Sequence, residues 1–403
     1  MKRLFAVLLV AFALPAASRQ PYDAEAARQT VAAIEGLLEQ RPNDPVLYFF
    51  LSRFQAQLKN AEAAAAALEK VVELGDGYLP TPEGGFEHVF EDPRFRAAYA
   101  RLEAKLPRLD FAPAAFELED RALIPEGIAY DPKSKAFFVG SLHGKVLKVV
   151  NGEAAEFVGK GAELDAVLGV AVDAPRRTLY VVSTSALTAE GRKRRRNSVL
   201  AFDVETRKML RRIEAPNAAQ LNDVAIALGG RVFATDSANG AIYEIPVVGE
   251  AREIVAPHQI RGSNGIAASP DGKRLYVAHS TGLAVVDIDT KKVQRIANPT
   301  RENVSAIDGL YMWHGQLIGV QNLTNPGRVI AVTLSTDGNS VDKVATLLSH
   351  HHTGLMEPTT GAPTEHGFYL LAATGVTRFD GNGKIRDPES LRRPLVLRVP
   401  LPR

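Results

Sequence analysis

The chain contains no cysteine. That excludes a disulfide-stapled scaffold, a thiolate-held metal and a lipid anchor on a leader cysteine. It is no obstacle to export, because a chain of this length buries enough apolar surface to fold without crosslinks. Long apolar runs are missing too. The apolar stretch Leu4–Leu14 is only eleven residues long, too short for the roughly 20 that a membrane-crossing helix needs, so no membrane span is expected. Charge of one sign is also scarce, with 48 Lys and Arg against 46 Asp and Glu. No basic field therefore points to nucleic acid or an anionic membrane as partner. No P-loop, dinucleotide fingerprint, HExxH pair or nucleophile elbow occurs.

What is present begins with a leader. Lys2 and Arg3 precede the apolar stretch and Pro15-Ala16-Ala17-Ser18 follows it, the layout of a cleaved secretory signal over residues 1–18 and of a periplasmic or secreted protein. Residues 19–108 read as helix. Val31, Ile34, Leu37 and Leu38 share one helical face, and Asn43-Asp44-Pro45 opens a second helix with Leu47, Phe50, Leu51 and Phe54 turned inward. The Ala-rich run 61–74, stopped by Gly75, allows close helix packing. The arrangement resembles one tetratricopeptide unit, which implies a surface for a protein partner. A cap on the following domain is the nearer expectation, since binding grooves are built from stacks of such units.

Residues 109–403 repeat one pattern six times: a polar or turn residue, Gly or its stand-in, an apolar alternating run, a turn and a second apolar run. The copies open at Glu126, Leu168, Asn222, Asn264, Asp308 and Thr360, roughly 40 to 55 residues apart, the spacing of four-stranded propeller blades. The expected fold is an all-β six-bladed β-propeller preceded by a small α-helical domain. Pairing Ala115–Asp120 with Leu395–Leu401 would close the ring and remove its exposed edges. With the first strand of each blade lining the channel, the opening residues converge on one axis. Glu126, Asn222, Asn264 and Asp308 then form an all-oxygen set suited to Ca²⁺, with Mg²⁺ or Mn²⁺ as alternatives. The ends of the second strands supply a wider ring of His143, Thr184, Asp236, His279 and Asn322. Arg192-Lys193-Arg194-Arg195-Arg196 and His350-His351-His352 are expected in loops, because neighbouring side chains in a run cannot share one face.

Pro125-Glu126-Gly127, Leu221-Asn222-Asp223, Ser263-Asn264-Gly265 with Ser269-Pro270-Asp271-Gly272, and Ile307-Asp308-Gly309 together resemble the gluconolactonase and regucalcin (senescence marker protein) family over roughly residues 116–402. The resemblance implies a six-bladed propeller whose Glu126, Asn222, Asn264 and Asp308 hold a catalytic divalent cation, with Asp308 as base, acting on lactones. Two positions depart from the family pattern. Gln220 stands where an Arg grips a sugar lactone, and Leu168 where the paraoxonases, distant relatives, carry a catalytic His. His279 or His143 is the candidate replacement base. The expected activity is metal-dependent hydrolysis of a small-molecule lactone or related ester. The alternative is a non-enzymatic exported binding protein with a structural cation.

Overall fold

In the computed structural model, which describes residues 23–402, four helices precede six four-stranded antiparallel sheets. The leader expected over residues 1–18 lies outside the described residues. No described helix is long and apolar enough to cross a membrane.

Helices α1 (Ala24–Gln40), α2 (Pro45–Gln57) and α3 (Ala61–Leu74) start where the sequence supplies a cap. Asp23, Asp44 and Asn60 each accept a backbone N–H of the first turn. A fourth helix, α4 (Pro93–Glu103), was not anticipated as a separate element. Its signal is Asp92 as cap with Pro93 in the first turn. Phe49, Phe50, Phe86 and Phe95 are buried among these helices, in ring contacts of 5.5 to 5.9 Å. That gives the helical region a core of its own, at roughly 1.5–3 kcal/mol per large apolar side chain.

Each sheet follows chain order from inside to outside. Blade one is Pro125–Asp131, Ala136–Ser141, Lys145–Val150 and Glu153–Val158; blade two runs from Ala166–Asp173 to Met209–Glu214, and blade three from Leu221–Ile226 to Arg252–Val255. Blade four begins at Ile266–Ala268 and blade five at Ile307–Trp313. Blade six is Gly361–Thr364, Gly367–Ala373 and Leu395–Val399, completed by Ala114–Glu117 from the far end of the chain. In that closing pair Glu117 lies opposite Leu395. Six apolar clusters, one between each pair of neighbouring blades, form the ring's core. The cluster joining blades six and one contains Leu118, Leu123, Ile128, Val139, Leu371 and Val396.

The helical region packs on the face of the ring where the inner strands begin. Asp76 N donates to Arg301 O, Asn303 N to Asp76 O and Leu79 N to Thr324 O, which straps the segment after α3 onto blade five. Asn303 and Asn325 both donate their amides to Gly77 O. Gly77 has φ +78°, and a Cβ there would overlap the Arg328 guanidinium. That guanidinium is buried beneath the strap and donates to Gln321 Oε1 at 2.6 Å and Asn303 O at 2.8 Å. The arginine-rich run lies between the second and third strands of blade two as expected, yet Ala189–Arg194 forms a short helix capped by Thr188 rather than a loop. The histidine run stays in the connection into blade six, with the rings of His350 and His351 4.1 Å apart.

Candidate functional site

The inner strands are not regular where they begin. In blade one Pro125 pairs with Ser141 and Ile128 with Val139, so Glu126 and Gly127 together face one residue of the partner strand. The same one-residue bulge holds Leu168-Gly169, Asn222-Asp223 and Asp308-Gly309. In blade four Asn264 N donates to Ala278 O and Ala278 N to Gly265 O, which sets Asn264-Gly265 at the same level. A bulge bends its strand and re-aims a side chain, so the opening residue of blades one, two, three and five leaves the sheet's alternation.

The glycines that follow let neighbouring blades touch. A Cβ on Gly127 would collide with Leu168 O, one on Gly169 would lie 2.7 Å from Asp223 Cα, and one on Gly265 2.5 Å from Asp308 O. Blade three breaks the column with Asp223. Its carboxylate accepts from Ile266 N of blade four at 3.1 Å and from Val224 N at 2.8 Å. Burial, only partly offset by those two donors, pushes its pKa up to about 7.

Asp308 is buried, and each of its oxygens accepts one amide: Oδ1 from Asn264 Nδ2 at 2.8 Å, Oδ2 from Asn322 Nδ2 at 2.6 Å. Desolvation outweighs both and raises its pKa to about 6. Glu126 is 3% exposed, and its Oε2 has no hydrogen-bond partner. Burial first, then the charges of Asp308 and Asp223, hold its pKa well above the usual carboxylate range. Its backbone oxygen accepts the hydroxyls of Thr359 and Thr360 from blade six. Asn222 donates its amide to Ser237 Oγ at 2.7 Å, and that hydroxyl donates on to Ser263 O. The amide oxygens of Asn222 and Asn264 are left as acceptors.

These residues fit a hard divalent cation. The donors are all oxygen, one buried carboxylate oxygen is orphaned, and burial first, joined at Glu126 by the charges of Asp308 and Asp223, raises the carboxylate pKa values. Among the described residues no three His, Asp or Glu side chains gather closely enough to form a site on their own. The amide oxygens would have to complete the set.

Neither candidate histidine joins this cluster. His279 Nδ1 accepts from Thr281 N at 3.3 Å. Burial and the Arg295 charge push its pKa down to about 4, with Arg41 of the helical region adding to that. His143 is exposed on a tight turn, packs edge-to-face on Phe379 at 5.5 Å, and is held below its ordinary pKa by partial burial and Lys145. Leu168 does not line an open mouth. It is 2% exposed, in a cluster with Ile124, Leu142, Leu187, Val376, Phe379 and Leu391. Gln220 is buried, with Nε2 unpaired.

Two residues escaped the sequence reading. Asp223 could have been flagged by the missing glycine in its column. Tyr311 lies three places after Asp308, which in a regular strand puts it on the opposite face. With the bulge between them, the charges of Asp223 and Asp308 reach its hydroxyl, which accepts from Gly361 N at 2.9 Å and is held above its ordinary pKa chiefly by burial.

Residues 124–342 match the family model described as the SMP-30/Gluconolactonase/LRE-like region. No curated protein matches the chain. Among solved structures it is similar to a putative oxidoreductase (glucose dehydrogenase) from Thermus thermophilus, with 16% identity, 72% of this chain and 99% of that one covered, and a TM-score of 0.49. A luciferin-regenerating enzyme matches with 14% identity, 72% and 96% coverage and a TM-score of 0.46. A virginiamycin B lyase from Staphylococcus aureus matches with 13% identity, 64% and 81% coverage and a TM-score of 0.46. None of these three likenesses bears on chemistry.

Proposed function

The chain belongs to the SMP-30/gluconolactonase/LRE-like family, and from that premise we propose that it is a divalent-metal-dependent hydrolase of a lactone or related ester. The observation that carries the reading is the buried, unpartnered Glu126 Oε2 in the field of Asp308. Uncompensated, that pair costs stability, and a cation between them would offset the cost. Glu126, Asn222, Asn264 and Asp308 would hold the ion, Ca²⁺ with Mg²⁺ or Mn²⁺ as alternatives. When bound, such an ion polarises an ester carbonyl and lowers the pKa of a water.

The chain's own residues supply the rest. Asp308 is the carboxylate of the set that would take up and release a proton; burial holds its pKa near 6 in the metal-free site, and a bound cation would lower it. Asn264 and Asn322 hold both its oxygens, so its orientation survives the change of charge. Gln220 brings no fixed cation to a polyhydroxylated ring, which favours an aliphatic lactone over a sugar lactone. His279, kept neutral and turned toward Thr281, and His143, out on its turn, are weaker candidates for the proton-handling role. The leader supports a periplasmic or secreted location, and the strap at Gly77 supports a cap role for the helical region.

A second reading, an exported binding protein with a structural cation, is favoured by one observation: neither histidine hydrogen-bonds Asp308. The test is turnover of an aliphatic lactone, a sugar lactone and an aryl ester by the purified mature chain, with and without chelator, and by Asp308→Asn. Aliphatic turnover lost in chelator and in the variant is expected. No turnover of any substrate moves the assignment to the second reading.

A further inference from the structure

We propose that the outer rim of blade six carries a second ligand site, for a small carboxylate with an apolar tail. A cavity of about 300 Å³ opens there between Arg121, Arg392 and Arg393, over a floor that includes Met356, Leu391 and Leu395. It lies on the same face of the ring as Glu126 and Asp308. Glu117 at the end of the closing strand, Ala373 at the end of the second strand and Leu395 at the start of the third all reach it.

The three arginines carry the argument. Among the described residues none makes an ion pair or a side-chain hydrogen bond, whereas Arg94, Arg177 and Arg196 elsewhere on the surface are all paired. The backbone brings them together and holds them there. Leu118 N donates to Pro394 O at 2.9 Å, which ties the segment of Arg121 to that of Arg392 and Arg393. Leu391, next in the chain, is buried in the apolar cluster around Leu168. Three arginine side chains gathered around one opening repel each other, and the single acid that lines it, Glu117, pairs with none of them. An incoming carboxylate gains charge-assisted, fork-shaped hydrogen bonds from these groups. The apolar floor removes its tail from water. The volume is at the lower end for small-molecule pockets, which selects a compact ligand of about eight carbons.

The test titrates octanoate into the full mature chain by calorimetry, beside acetate, which has the charge alone, and octanol, which has the tail alone. Octanoate is expected to bind at least tenfold more tightly than either. Arg392→Gln with Arg393→Gln should weaken it at least tenfold without moving the melting temperature, and Glu117→Gln should tighten it a few-fold. Equal binding of acetate would reduce the site to general anion attraction and overturn the proposal. So would octanoate affinity that ignores the arginine pair yet falls in Asp308→Asn, because the ligand would then sit at the Glu126–Asp308 cluster. Absence of octanoate binding overturns it as well.

Discussion

Blades two and five stand opposite each other across the axis and open with the same one-residue bulge, yet one presents Leu168 and the other Asp308. Blade two is covered by the chain's own loops. Val376, Phe379 and Leu391, from the excursion between the second and third strands of blade six, seal Leu168, and Ala189 N donates to Gly381 O at 2.7 Å to fasten the cover. Blade five is covered by the helical region, through Gly77 and the buried Arg328. One half of the mouth is therefore apolar and closed by packing. The other is polar, with its carboxylates held against their own desolvation. A shared backbone device does not impose a shared chemistry.

Exchanging the two chemistries should break the comparison most severely. Leu168→Asp places a charge in a sealed apolar cluster and should cost about 4 kcal/mol or more, read from the denaturant midpoint. A milder effect would mean that the cover is not packed. Gly77→Val should cost about 3 kcal/mol, from left-handed backbone strain and overlap with Arg328. Its signature is a separate, earlier melting step for the helical region; a single unshifted transition would show that the strap is dispensable.

Asp308→Asn sharpens the polar side. Ca²⁺ at about a hundred times its Kd should stabilise the wild type by about 2.7 kcal/mol, and the variant should lose this gain. In chelator the order reverses with pH. Asp308 has a pKa near 6 in the folded chain against an ordinary 3.8, so between these values folding takes up a proton, and wild-type stability falls as pH rises from about 4 to 6 and levels off above. The variant, without that titration, should melt above the wild type at pH 7.5, and the gap should narrow at pH 5 and close near pH 4. A gap that is independent of pH would remove Asp308 from the explanation. Comparing the two proteins also cancels His279, whose lowered pKa acts in the opposite direction. The smallest effect expected is that of Ala189→Pro. Proline is accommodated at the first position of that short helix but deletes the hydrogen bond to Gly381, costing about 1 kcal/mol and exposing residues 381–386 to protease.

Much of this was legible in the sequence because propeller blades repeat their register. The six blades, the closing strand and the shared level of Glu126, Asn222, Asn264 and Asp308 all follow from spacing. The direction of side chains does not. His279 ends its strand beside the polar ring, but its ring accepts from Thr281 N in the turn that follows and feels the charge of Arg295, local contacts that no repeat encodes. Leu168 reads as a mouth residue until the loops of blades one, two and six are seen to bury it. Tyr311 is hidden because a single inserted residue inverts the alternation used to assign faces.

The bulges also divide the labour between adjacent residues. The opening residue of each pair can change from Glu to Leu to Asn to Asp while the strand keeps its course, whereas the residue behind it, glycine except for Asp223 in blade three, is held against the next blade's backbone. The ring thus offers side by side a set of chemically interchangeable seats and a set of fixed joints. A library that randomises residues 126, 222, 264 and 308 while keeping Gly127, Asp223, Gly265 and Gly309 should retain folded members in quantity, so new activities can be sought at this mouth without rebuilding the blades beneath it.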